Sequence, residues 1–193
     1  LPAGAQRGVS PPPIALEKIS MPPGFQIEVY AEGVQAARQM ALADDGTVFV
    51  GSFGFFTGAP EVGNVYALRD TDRDGRADEV MTVLSGLTIP NGVAFRDGAL
   101  FVAENNRITR YNNILSDLAN PPEPVVLAGM PVDGINHSWK YLEFGPDGKL
   151  YVPIGGPCNF CERDDPWASI LRMNPDGSER EVYARGVRNS VGM

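Results

Sequence analysis

Three stretches of the chain repeat one pattern at a nearly fixed interval: apolar alternation, a glycine turn, then apolar alternation again. They read MALADDGTVFVGSF, GVAFRDGALFVAEN and YLEFGPDGKLYVPIG, and their turn glycines, Gly46, Gly98 and Gly148, lie 52 and 50 residues apart. Asp-Gly between two alternating runs predicts a hairpin, because the tip needs backbone at positive φ and the flanking strands need one buried face. Each hairpin is followed by a second pair of alternating runs: NVYALRD with EVMTVLS, RITRYN with PVVLAG, and SILRMN with REVYARG. Four antiparallel strands recurring at this period predict the blades of a β-propeller. A sandwich also alternates, but nothing in it would repeat the turn chemistry at fixed spacing.

The expected fold is therefore all-β, a propeller of four-stranded antiparallel blades. Three blades occupy residues 25–193, and GVRNSVGM opens a fourth. Propellers close with about four to eight blades. The chain is thus expected to be the N-terminal portion of a longer protein, or else to have its remaining blades supplied by a partner chain. Residues 1–24 differ in character: Pro11, Pro12, Pro13, Pro22 and Pro23 predict an extended arm. The first residue is Leu1, which reads as a processed or truncated start.

The 24 acidic and 16 basic residues leave a formal charge of −8, which argues against nucleic acid or anionic lipid as a partner. No run approaches the roughly 18–20 apolar residues that span a bilayer.

Blade topology sorts the loops. With the first strand of each blade nearest the axis, the Asp-Gly tips fall at one end. The longer loops GSFGFFTGAPEVG, GMPVDGINHSW and GGPCNFCERDDPW fall at the other. Irregular loops on a rigid frame are where function concentrates. His137, the single histidine of the chain, sits in the second of these, just before the innermost strand of blade three. Arg188 and Asn189 occupy the equivalent place before blade four, so the two sites should face one channel mouth. Imidazole titrates near neutrality and suits a general base there. The planar guanidinium of Arg188 can grip a carboxylate bidentately, with Asn189 donating to a second oxygen. The plainer alternatives are a hydrogen-bonding loop histidine, and an Arg188 paired with Asp164 or Asp165. Trp139, Trp167, Phe53, Phe55 and Phe56 could line such a site or fill gaps between blades.

Two further motifs bear on metals and redox state. DTDRDGRAD, residues 70–78, places Asp70, Asp72, Asp74 and Asp78 at positions 1, 3, 5 and 9 of a loop with Gly75 at position 6. The carbonyl of Arg76 can supply position 7. Ca²⁺ takes six to eight oxygens, and this spacing folds carboxylates around one point. Met81 stands where an EF-hand has its bidentate Glu, so the likeness is to the calcium hairpins of integrin-type propellers, and the role is structural. A solvated acidic turn is the alternative. Cys158 and Cys161 form a C-x-x-C. Glu162 replaces the histidine of a c-type haem site, and no further Cys completes a zinc site. A local disulfide is preferred over free thiols; it implies an oxidising compartment, periplasmic or secreted.

With the blade period, LAGMPVDGINHSWKYLEFGPDGKLYVPIGG and ASILRMNPDGSEREVYARGVRNSVGM assembled, the chain resembles the glucose/sorbosone dehydrogenase family of soluble, pyrroloquinoline-quinone (PQQ)-dependent six-bladed propellers. The resemblance implies sugar oxidation with hydride passing to PQQ and electrons to an external acceptor. It casts His137 as the base and Arg188 and Asn189 as cofactor-binding residues. Asn136 stands where the glucose-oxidising branch has Asp, so the sorbosone-like branch is the nearer likeness. The family's catalytic Ca²⁺ is held by later blades, outside this chain. Two other functions fit a propeller: a calcium-dependent lactonase using Glu104, Asn105 and Asn91, and a non-catalytic binding module.

Overall fold

The computed structural model describes residues 15–54 and 62–193. The chain divides into two compact units, Leu1–Tyr30 and Ala31–Met193. In the first, Leu16–Lys18 form a single 3₁₀ turn. Pro22-Pro23-Gly24-Phe25 then close a β-turn through Phe25 N–H to the Pro22 carbonyl at 3.2 Å, with Gly24 at φ 86°. Residues 25–30 alternate like a strand but form none. The proline run at 11–13 lies outside the described residues.

The second unit is three meanders. Blade one comprises β1 (Ala37–Leu42), β2 (Val48–Ser52), β3 (Val62–Arg69) and β4 (Glu79–Thr88). Blade two comprises β5 (Gly92–Arg96), β6 (Ala99–Ala103), β7 (Arg107–Tyr111) and β8 (Val125–Gly129). Blade three comprises β9 (Glu143–Phe144), β10 (Leu150–Ile154), β11 (Ser169–Met173) and β12 (Glu181–Arg185). Each set forms one four-stranded antiparallel sheet in sequence order, which is the propeller-blade arrangement. The three Asp-Gly tips join first and second strands, and Gly46, Gly98 and Gly148 carry φ of 92°, 75° and 76°. Only a residue without Cβ adopts such angles freely.

Strand β6 shows why the sheets stack. Its sequence ALFVA is apolar throughout and every residue is buried. Leu100 and Val102 join Phe49, Val65 and Ala67 of blade one in one core layer. Phe101 and Ala103 point the other way, joining Leu150, Val152 and Met173 of blade three. Alternation on a two-sided strand thus fills both inter-blade layers, each large side chain contributing about 2 kcal/mol.

Blade three departs from its expected regularity. The run YLEF predicts a full innermost strand, yet β9 spans two residues. The cause lies on the facing strand, where Pro153 has no N–H and the ladder stops at the Glu143–Tyr151 pair. The side-chain oxygen of Gln39 accepts from the Leu142 amide at 3.0 Å, and its NH₂ donates to the Leu142 carbonyl. The same oxygen accepts from the Val93 amide at 3.3 Å. A single side chain on β1 therefore satisfies the Leu142 backbone groups that face away from β10, and ties the innermost segments of all three blades. Among the described residues no helix is long and apolar enough to cross a membrane.

Candidate active site

His137 sits in the β8–β9 loop at φ 51°, and its ring is half-buried. Its Nδ1 lies 2.7 Å from the Gly156 carbonyl oxygen. A carbonyl only accepts, so Nδ1 carries the hydrogen and the neutral ring keeps its lone pair on Nε2. The Gly156 amide in turn donates to the Arg188 carbonyl at 2.8 Å. One residue just past β10 therefore fixes the histidine ring through its carbonyl and the Arg188 segment through its amide. Close approach is possible because residue 155 has no side chain: a Cβ there would lie 2.4 Å from the His137 carbonyl oxygen and 2.5 Å from its Cβ.

The Arg188 guanidinium is exposed and donates through Nη2 to Asn159 Oδ1 at 2.7 Å. Neither Asp164 nor Asp165 takes it; Asp165 is gripped by Arg185 through Nε at 3.0 and 3.1 Å and through Nη2. Asn159 stands inside the short loop closed by the Cys158–Cys161 disulfide, whose Cα atoms are 5.7 Å apart. Asn189 is half-buried beside Arg188. Trp139 meets the His137 ring edge-on at 6.3 Å and Phe53 at 5.4 Å, so an aromatic wall backs the imidazole. Trp167 instead packs on the core between blades two and three. Phe55 and Phe56 lie outside the described residues.

Sequence reading passed over Lys140. It is 1% exposed, and its ammonium donates to the Ser138 carbonyl at 2.5 Å, with no carboxylate paired to it among the described residues. Burial pulls its pKa from 10.5 down to about 8. The unfolded chain holds that proton through the whole interval from about 8 to 10.5, so there the unfolded state binds more protons and the residue's contribution to stability rises with pH. Below pH 8 the full desolvation cost is present, on the order of 3 kcal/mol. Lys140→Met is accordingly expected to raise the melting midpoint at pH 7, with the gain shrinking toward pH 10. Melts across that range check it, and a variant less stable at pH 7 would show that the bond to Ser138 outweighs the burial.

Two of the three side chains of the lactonase set are engaged in hydrogen bonds within the fold. Glu104, 1% exposed, spends one oxygen on Arg107 and the other on the Thr88 amide at 2.8 Å. Asn91 donates to the Lys140 carbonyl at 2.6 Å and accepts from Arg38 at 3.1 Å. Only the Asn105 side-chain oxygen is buried without a hydrogen-bond partner among the three.

The acidic loop joins β3 to β4, at the opposite end of blade one from the loops around His137. Carboxylate oxygens of Asp70, Asp72 and Asp78 lie within 4.8 Å of one another. Asp74 stands outside that group and accepts from the Arg76 amide at 2.8 Å. Asp70 accepts from the amides of Arg73 and Gly75 at 2.7 and 3.0 Å. The Thr71 hydroxyl, then its amide, holds the Asp78 carboxyl below the usual carboxylate range.

Known proteins share this architecture. The PQQ domain of pyranose dehydrogenase from Coprinopsis cinerea superposes with a TM-score of 0.67 at 14% identity, over 84% of this chain and 42% of that one. The PQQ-bound aldose sugar dehydrogenase of Streptomyces coelicolor gives 0.59 at 18% identity, over 84% of this chain and 54% of that one. A gluconolactonase of Xanthomonas campestris gives 0.54 at 17% identity, over 81% and 50%. At these identities the likeness establishes the fold, which dehydrogenases and a lactonase hold in common. An uncharacterized protein of Borreliella burgdorferi is 25% identical over 194 aligned residues, 93% of this chain and 48% of its own length. The chain thus spans about half the length of the proteins it matches. Residues 11–193 fit the model of the family described as a domain of unknown function, DUF7133, and the chain belongs to that family.

Proposed function

We propose that the protein of which this chain is part oxidises a sugar with PQQ as acceptor and His137 as general base. The observation carrying this reading is Gly156, whose carbonyl holds His137 in the tautomer with its lone pair on Nε2 and whose amide fastens the Arg188 segment beside it. A substrate hydroxyl on Nε2 would pass its proton to the ring. The Nδ1–H bond to the Gly156 carbonyl then steadies the imidazolium. PQQ, when bound, supplies the two-electron acceptor for the hydride leaving the same carbon. The donor set suits that molecule's carboxylates: Arg188 is oriented by a neutral amide, so its charge is left for a ligand, with Asn189 as a second donor. The Cys158–Cys161 bridge stiffens the loop that orients Arg188, in keeping with an oxidising compartment. Asp70, Asp72 and Asp78 would hold a Ca²⁺ that stiffens blade one.

The test is dye reduction by the full-length protein supplied with PQQ and Ca²⁺, with aldoses and sorbosone as substrates and lactone hydrolysis run in parallel. Dye reduction is expected, with Arg188→Gln weakening PQQ binding roughly 10-fold or more. Lactone hydrolysis without dye reduction would replace this reading with the lactonase, and neither activity would leave a binding propeller.

A further inference from the structure

The described arginines differ in what holds them; Arg110 and Arg180, for example, donate to the backbone carbonyls of Pro175 and Gly129. Arg69, Arg96, Arg107, Arg163, Arg172 and Arg185 each pair with a carboxylate. Arg188 and Arg38 are instead aimed by asparagine: Arg188 by Asn159 Oδ1, and Arg38 through Nε by Asn91 Oδ1 at 3.1 Å. The difference is electrostatic. A carboxylate partner fixes a guanidinium and cancels its charge, whereas an amide oxygen fixes the direction and leaves the charge for something else.

The Asn91 amide cannot be turned the other way. Its NH₂ donates to the buried Lys140 carbonyl at 2.6 Å, so only Oδ1 is left to face Arg38. Arg38 borders a cavity of about 340 Å³ together with Gln39, Asn91, Trp139, Tyr141 and Val191. That volume is in the range of small-molecule sites. The wall comes from the axial segments of all three blades and from the chain just past Arg188. It shares Trp139 with His137. Among the described residues no carboxylate lines it, and Glu143, next to the wall, accepts the Tyr141 phenol at 2.8 Å.

We infer that Arg38 is a second anion-gripping residue, which receives the carboxylate of a small ligand whose body lies against Trp139. Two ligands offer that chemistry at this place, the tricarboxylate quinone and a sugar acid. The inference rests on the dehydrogenase reading only for this choice of probes; the grip itself stands on the geometry.

Calorimetric titration of the full-length protein with PQQ, gluconate and glucose, in Ca²⁺ buffer, tests it on wild type, Arg38→Gln and Arg38→Lys. Arg38 is exposed, so both variants should melt within a few degrees of wild type. Arg38→Gln is expected to weaken the anion that wild type binds by about 10-fold or more, Arg38→Lys to recover part of that, and glucose to be indifferent. Loss confined to PQQ identifies the quinone as the ligand, and loss confined to gluconate identifies the acid. Unchanged affinity for both anions in Arg38→Gln overturns the inference while leaving His137 its role. Wild type that binds neither anion overturns it as well. Gluconate binding lost in Arg38→Gln, with PQQ never bound, keeps Arg38 and removes the quinone.

Discussion

Replacing His137 with Gln is expected to cut kcat/KM for sugar oxidation by about 10²–10⁴-fold while moving the affinity for PQQ by no more than a few-fold. The asymmetry follows from where the ring is held. Nδ1 is committed to the Gly156 carbonyl at 2.7 Å, so what the imidazole offers a substrate is the Nε2 lone pair, and a positioned base contributes a factor of that size. Glutamine can still donate toward the Gly156 carbonyl and fill the space against Trp139, but it has no lone pair of comparable basicity. The protein should therefore fold and load normally. Rates with saturating PQQ, together with a separate titration of the cofactor, separate the two effects. A variant that turned over at the wild-type rate would remove the base from His137; one that lost PQQ and rate together would make the ring a cofactor contact instead.

Much of the frame behind that prediction was written locally. Asp-Gly between alternating runs specifies a hairpin through two or three residues, and Gly46, Gly98 and Gly148 take the positive φ this requires. Once the strands are counted, topology alone brings the loop of His137 and the segment of Arg188 to one end of neighbouring blades. The structure joins them at Gly156, through its amide and its carbonyl. What the sequence did not display are contacts between residues far apart along the chain. Gln39 reaches Leu142 across 103 positions and Arg38 reaches Asn91 across 53. Neither has a periodicity to betray it, because each depends on three blades meeting near an axis. Lys140 is a different case: in HSWKYLEF it shares the alternating slot of Leu142 and Phe144, so the pattern already turned it inward and only its residue type spoke for the surface. The acidic loop shows the opposite limit: its spacing drew Asp70, Asp72 and Asp78 together, yet left Asp74 turned to the backbone.

The neighbouring glycines 155 and 156 should respond oppositely to the same methyl group. A Cβ on residue 155 would sit 2.4 Å from the His137 carbonyl oxygen and 2.5 Å from its Cβ, separations at which something must move. Backbone on the far side and a buried strand end on the near side leave the His137 loop as the part that yields. A displacement near 1 Å there is expected to cost about 100-fold in kcat/KM, since proton transfer depends on the reach of Nε2. Overpacking adds roughly 1–3 kcal/mol of lost stability. On residue 156 the nearest heavy atom would be the Cys158 carbonyl oxygen at 3.7 Å, an ordinary contact, and neither its carbonyl bond to His137 nor its amide bond to Arg188 involves Cα. Gly156→Ala should therefore keep activity within a few-fold and melt close to wild type. Thermal melts and kcat/KM on the pair are the check. Should Gly155→Ala prove as active as Gly156→Ala, the His137 loop is not seated against β10 as described, and the positioning argument for the imidazole fails with it.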